Sequence, residues 1–299
     1  MKGAVGNPCA QHARLEGGVT RVVTKSTDAT PNAPWRDLRR HLRLWRRFVA
    51  LAVVREMQHR GHFAAITVSS LMLLVLALVP VWLLYGFTDR IAGWTQAEMV
   101  VLVGVYRLVD GVLNTFVAPN MQRFSAYIQR GDLDLVLTRP VSSQFYVSLR
   151  WMNPAEAINV VIGLAVVVIG LRQGGIAPSP AGVVAALVLV ACGTVLVSCA
   201  WSACVYLVFW LSSVEPVWSL FQDVWVAGKY PVTFFPPIVR AFFTVLVPTA
   251  FATTFPAQAL VGEISAWLLP AGIGLTVVTL LLTRAYWRYA LRFYASASS

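Results

Sequence analysis

Acidic residues are what this chain has least of: 13 Asp and Glu stand against 24 Lys and Arg in 299 residues. Charge of either sign amounts to 12% of the chain, about half of what a soluble globular domain carries. With 58% hydrophobic residues and a mean hydropathy of +0.67, this scarcity excludes a water-soluble domain and predicts an integral membrane protein. The net charge of +11 does not point to nucleic acid, because the bases flank apolar runs and do not gather into one soluble patch. It reads as positive-inside bias and contact with anionic lipid headgroups.

Cysteine and histidine are also scarce, at four each. Cys192, Cys199 and Cys204 fall inside one apolar run and Cys9 in the N-terminal stretch, so no disulfide framework or metal spacing is present. All the histidines (His12, His41, His59, His62) precede the first apolar span, which leaves no Ser–His pair for nucleophilic catalysis. Glu56-x-x-His59 is half of a carboxylate–histidine metal motif without its second copy. A P-loop is missing as well, since Tyr230 follows the single Gly-Lys pair, Gly228-Lys229. The chain is therefore expected to be non-catalytic and to bind no cofactor or metal, with any ATP use assigned to another chain. Residues 1–34 lack the apolar core of a secretory signal and are expected to be a disordered extension, which fits a protein inserted through its own first span.

What is present is a succession of apolar runs. Residues 35–60 alternate Arg36, Arg39, Arg40, Arg43, Arg46 and Arg47 with Leu38, Leu42, Trp45, Phe48 and Ala52 at three- and four-residue intervals. This spacing predicts a basic amphipathic helix lying in the membrane interface, with Arg39, Arg43, Trp45 and Arg46 meeting headgroups. Spans are expected at about 63–87, 99–118, 153–171, 181–211, 233–252 and 265–283, each near the length a bilayer requires. The short stretch from Ala257 to Gly262 cannot cross and is re-entrant if protein surrounds it. Clustered arginines recur at 36–60, 123–150 and 284–292, while the alternate connections hold almost none. Both termini are therefore expected in the cytoplasm of a multi-pass protein of the bacterial inner membrane.

Two places carry polar residues that need an account. In the second span, Arg107 and Asp110 lie three apart and can pair. Together with Gly104, Gly111, Asn114 and Ala118 they read either as a polar wall of a translocation path or as an intramembrane ion pair beside small packing residues. Glu156 and Asn159, at the opening of the third span, form a second polar patch. The other place is the island from Tyr127 to Arg150, where Asp132, Asp134, Arg130, Arg139 and Arg150 are interleaved with Leu133, Leu135, Val136, Leu137 and Phe145 between the turn signals Gly131 and Pro140. A water-exposed connector does not need that apolar content, but an element that docks on another protein surface does.

Over Ile128–Val141 the chain resembles the membrane subunits of type-2 ABC exporters, in the branch whose cytoplasmic segment reads Gly-x-Leu-Asp-x-x-Leu-x-Arg-Pro. Here the matching residues are Gly131, Leu133, Asp134, Leu137, Arg139 and Pro140. Tyr230-Pro231, Phe255-Pro256-Ala257 and the closing Tyr294–Ser299 add weaker likeness. The resemblance implies an all-α fold of six transmembrane helices, with an interfacial N-terminal helix and a re-entrant segment before the last span. It also implies pairing with a second permease chain, identical or a sister, above two separate ATPase chains that hold ATP and Mg. The segment containing Gly131, Asp132, Leu133, Asp134, Leu137, Arg139 and Pro140 would couple to those ATPases. An ion-coupled carrier built on Arg107–Asp110 is the alternative, but it would be expected to show repeated halves, and none is visible. A lipid-modifying membrane enzyme would need a convergent catalytic cluster, which is equally missing.

Overall fold

The computed structural model describes residues 34–58, 60–129, 132–138, 142–211 and 215–293. Outside them lie the expected disordered stretch up to residue 33, together with His59, Gly131, Arg139 and Pro140; the side chains of Arg39 and Leu137 are likewise undescribed. The chain divides into two compact units, 1–44 and 45–299. Of the first, the described part is the opening of helix α1 (Pro34–Met57), on which Arg43 is exposed. Everything below concerns the second.

Five helices are long and apolar enough to cross a membrane, in an all-α protein whose single sheet is one short hairpin among the described residues. They are α2 (Arg60–Tyr85), α3 (Gln96–Phe116), α7 (Ile158–Gln173, entered through a 3-10 turn from Pro154), α8 (Pro180–Val205) and α13 (Leu268–Ala290). Between α3 and α7 come three helices of 12, 6 and 7 residues: α4 (Ala118–Gln129), α5 (Asp132–Leu137) and α6 (Ser143–Leu149). The hairpin β1 (Arg90–Ile91) and β2 (Trp94–Thr95) joins α2 to α3. Its turn residues Ala92 and Gly93 both have positive φ (47° and 90°), the geometry that a two-residue hairpin turn requires. Thr95 then starts α3 with a reciprocal capping box: its hydroxyl accepts from the Glu98 N–H while the Glu98 carboxylate accepts from the Thr95 N–H.

The two ends of α3 define two sides of the bundle, an α4 side and a hairpin side. Helices α3 and α7 approach closely because small residues line their contact. A Cβ on Gly111 would fall 2.7 Å from the Val160 nitrogen, and one on Gly170 would fall 2.8 Å from the Val101 nitrogen. Gly104 and Gly163 occupy the same seam. By contrast, α2 and α13 bury little of their length and give the bundle an apolar exterior suited to lipid.

The region expected to form a span at 233–252 is arranged differently. Helix α9 (Glu215–Val226) stacks Phe221 on Trp201 near the α4-side end of α8, at 5.3 Å, and Trp225 on Tyr106 in the middle of α3, also at 5.3 Å. Further along, Thr233 accepts from the Trp94 indole N–H at 3.0 Å on the hairpin side. The chain has thus climbed the bundle over residues 215–233. The stretch from Pro237 to Leu246, comprising α10 (Pro237–Ala241) and a wide π-type turn, descends. Then α11 (Thr249–Ala252) and α12 (Thr254–Val261) return at 70° to it. Thr249 at the bend lies beside Gly228, and Ala259 meets Gly182 at the hairpin-side start of α8. The bent pair therefore enters and leaves on one side, and the re-entrant segment is longer than Ala257–Gly262. The physical reason is the prolines: Pro236 and Pro237 start the descent, and Pro248 has no N–H to carry the helix through the bend. The bend is buried among α8, α9 and α3, where its irregular backbone finds partners, as with Thr253 N–H on the Thr249 carbonyl at 3.0 Å.

Candidate functional site

Helix α5 has only six residues, too few to hold itself together by propensity. Its anchor is the i, i+3 pair Leu133 and Val136, at 0% and 3% exposure, which joins the core built from Phe124, Tyr127, Tyr146 and Val147 on α4 and α6. The opposite face carries Asp132 and Thr138, both exposed, with Asp134 half-buried. Leu135 stands among them at 65% exposure. The interleaved apolar residues of the island thus divide by role. Leu133, expected as a docking residue, is fully enclosed and serves as the anchor, whereas Leu135 is the apolar residue presented outward. Helix α6 starts at Ser142, whose hydroxyl accepts from the Phe145 N–H at 3.3 Å. Leu133→Ala should lower the stability of the folded chain by about 2–5 kcal/mol, and Leu135→Ala by no more than about 0.5 kcal/mol, as read from thermal unfolding in detergent.

The whole segment is pinned to the bundle by Asn120, which is completely buried on the first turn of α4. Its Nδ2 donates to the Phe116 carbonyl at 2.7 Å and to the Trp151 carbonyl at 2.8 Å, while its Oδ1 accepts from the Trp151 N–H at 2.8 Å. The Asn153 N–H bonds the Thr115 carbonyl at 3.0 Å, adding a second tie to the end of α3. In the sequence Asn120 stands only as a residue just past the span expected at 99–118. Trp151 in turn donates its indole N–H to the Tyr127 hydroxyl at 2.9 Å. Trp45 of α1 is half-buried with its ring 6.2 Å from that of Phe116, and Phe48 meets Tyr146 edge-on at 5.9 Å, so these two aromatic residues pack on protein while Arg46 stays exposed.

Arg107, Asp110 and Asn114 do come together within α3. Asp110 Oδ1 accepts from Asn114 Nδ2 at 3.0 Å and from the Trp225 indole N–H at 2.9 Å, while Asp110 Oδ2 lies 3.9 Å from Arg107 Nη1. Arg107 Nη2 also reaches the Ser70 carbonyl of α2 at 3.5 Å, and its Nε is buried with no hydrogen-bond partner among the described residues. The polar face expected from Gly104 to Ala118 is therefore split. Its glycines close the α3–α7 seam, whereas Arg107 reaches toward α2 and Asp110 toward α9. Trp225 belongs to this network and had no local signal in the sequence, because only the fold brings α9 against α3. Glu156 Oε2 accepts from Asn159 Nδ2 at 2.8 Å at the entry to α7. Chemically the network can hold a buried ion pair and bridge three helices.

No curated protein and no solved structure matches the chain. The family described as ABC-2 family transporter protein matches residues 71–298, from the middle of α2 to the residue before the last, and the chain belongs to that family.

Proposed function

We propose that this chain is the permease subunit of an ATP-driven ABC exporter of the branch marked by Gly131, Leu133, Asp134, Leu137, Arg139 and Pro140. It forms half of a translocation path with a second permease chain, identical or a sister, in the bacterial inner membrane with both termini cytoplasmic. Energy arrives from separate ABC ATPase subunits that carry ATP and Mg. The observation carrying this reading is the two-faced α5, with Leu133 and Val136 sunk in the core and Asp132 and Leu135 turned outward. An element anchored this firmly moves with α4 and α6 as one body, so a push on its outer face is delivered to α3 and α7 through Asn120 and Asn153. Asp132 and Asp134 are placed in sequence to pair with bases on the ATPase, and Arg139 to pair with an acid or cap a helix end. The α1 helix, with Arg39, Arg43 and Arg46, is the second contact and also meets anionic lipid.

An Asp134→Ala/Arg139→Ala double variant tests the reading directly. Membrane insertion is expected to stay normal, an ATPase bearing a P-loop should co-purify with both the wild-type chain and the variant in mild detergent, and that ATPase should hydrolyse ATP in the variant complex without transport. Normal transport by the double variant would remove the coupling role from this segment.

A further inference from the structure

Three guanidinium groups converge on one indole on the α4 side. Arg123, Arg150 and Arg55 lie 4.2, 4.8 and 5.7 Å from the Trp151 ring centre, from α4, the end of α6 and α1 respectively. Trp151 is fixed from behind by Asn120 and Tyr127, so it forms a rigid platform. Arg150 is held through its bond to the Tyr127 hydroxyl at 3.0 Å, and Arg55 through its bond to the Met152 carbonyl at 3.1 Å. Among the described residues no ion pair involves Arg123 or Arg150. Partial burial lowers the Arg123 pKa most, and the positive charges of Arg55 and Arg150 lower it further.

Beside this cluster is a cavity of about 460 Å³ whose wall includes Arg55, Arg123, His62, Gln122 and Asn153, with Glu56 as its carboxylate. A second cavity of about 290 Å³ shares Arg55 and Met152 with it and is lined further by Phe48, Leu51, Ala52, Tyr146, Trp151 and Arg150. A polar basic chamber thus opens beside one whose wall is mostly apolar and aromatic, with Arg55 and Arg150 at its edge. The first sits at the foot of α2, on His62, where the exposed apolar surface begins with Phe63 at 43% exposure. That pairing of chambers fits a phosphate ester carrying an acyl chain better than a free anion, which has no use for the second chamber.

We propose that this double cavity binds one anionic phospholipid of the leaflet on the α4 side. Arg123 and Arg55 hold its phosphate, and the chain lies along Phe48 and Leu51. Two charge-assisted hydrogen bonds to phosphate are stronger than the diffuse attraction of a surface arginine. A lipid in this place bridges α1, α4 and the α6–α7 link. The assignment does not depend on the coupling role of α5.

The test is native mass spectrometry of the purified full chain during stepwise delipidation, with dioleoylphosphatidylglycerol, dioleoylphosphatidylcholine and inorganic phosphate added separately. One phosphatidylglycerol should persist per chain while phosphatidylcholine is lost. R123Q should weaken phosphatidylglycerol binding by about tenfold or more, and R55Q, on a different helix, should do likewise. R123K should retain most of the binding, and R288Q, on the exposed end of α13, should stay within about twofold. Equal retention of phosphatidylcholine, or an equal loss in R288Q, would show diffuse attraction and overturn the site. Competition by millimolar inorganic phosphate down to complete lipid release would assign the chamber to a soluble anion and overturn the lipid assignment.

Discussion

Asp110→Ala is expected to lower the stability of the folded chain by about 3–5 kcal/mol, the largest effect of any single polar substitution in the spanning helices. The carboxylate receives three groups at once: the Trp225 and Asn114 N–H donors and the Arg107 guanidinium. Truncation leaves all three facing apolar surroundings. Arg107 suffers most, since its side chain is only 8% exposed and its Nε already lacks a partner among the described residues. An uncompensated charge at this depth either unfolds the helix contacts or draws water in. Asp110→Asn should cost less, because an amide oxygen still accepts from Trp225. The double variant Arg107→Met/Asp110→Leu should recover most of the loss, as replacement of a buried pair by apolar residues is often neutral. Thermal unfolding in detergent measures all three. Transport by the double variant then separates the two roles open to this pair. A stable variant that transports normally makes the pair a packing device, while a stable variant that fails to transport places it on the substrate path.

The five long helices were legible as apolar runs because lipid demands a continuous apolar exterior, and α2, α7, α8 and α13 each present one. The re-entrant pair was less so. Residues 233–252 have the hydropathy of a span, while 217–227, with Asp223 inside it, reads as a short helix on or partly in the membrane. In the fold α9 packs Phe221 on Trp201 and Trp225 on Tyr106, so aromatic neighbours cover one side of it while Leu220 and Val226 stay exposed. The docking island was visible as an anomaly of composition, and even its division is written in the i, i+3 spacing of Leu133 and Val136. What spacing could not supply was which of its two faces turns inward. That depends on where α4 and α6 lie, and α4 lies where Asn120 fixes it.

Asn120→Ala should be nearly as damaging as Asp110→Ala, by about 2–4 kcal/mol, and its damage should be confined differently. Nδ2 and Oδ1 satisfy a buried N–H and two carbonyls on either side of a sharp change in chain direction. Removing them strands backbone groups that have no water to turn to and deletes the direct tie between α4 and the α6–α7 link. Apart from the Phe116 carbonyl at the end of α3, the spanning core of α3, α7 and α8 does not use these bonds and should persist. The expected signature is therefore local: faster amide hydrogen exchange in residues 118–153, with α8 and the bulk of α7 unchanged, and a modestly lowered unfolding midpoint. Asn120→Asp keeps the oxygen that accepts from Trp151 but turns its other oxygen toward the Phe116 and Trp151 carbonyls, so it should be at least as damaging as alanine. If exchange rises uniformly through every spanning helix, Asn120 is a general core residue and not a pin. If it rises only in the α4–α6 segment, transport should fall while insertion is preserved. The push on α5 would then reach α3 chiefly through the Asn120 side chain, with the Asn153 N–H on the Thr115 carbonyl as the second tie.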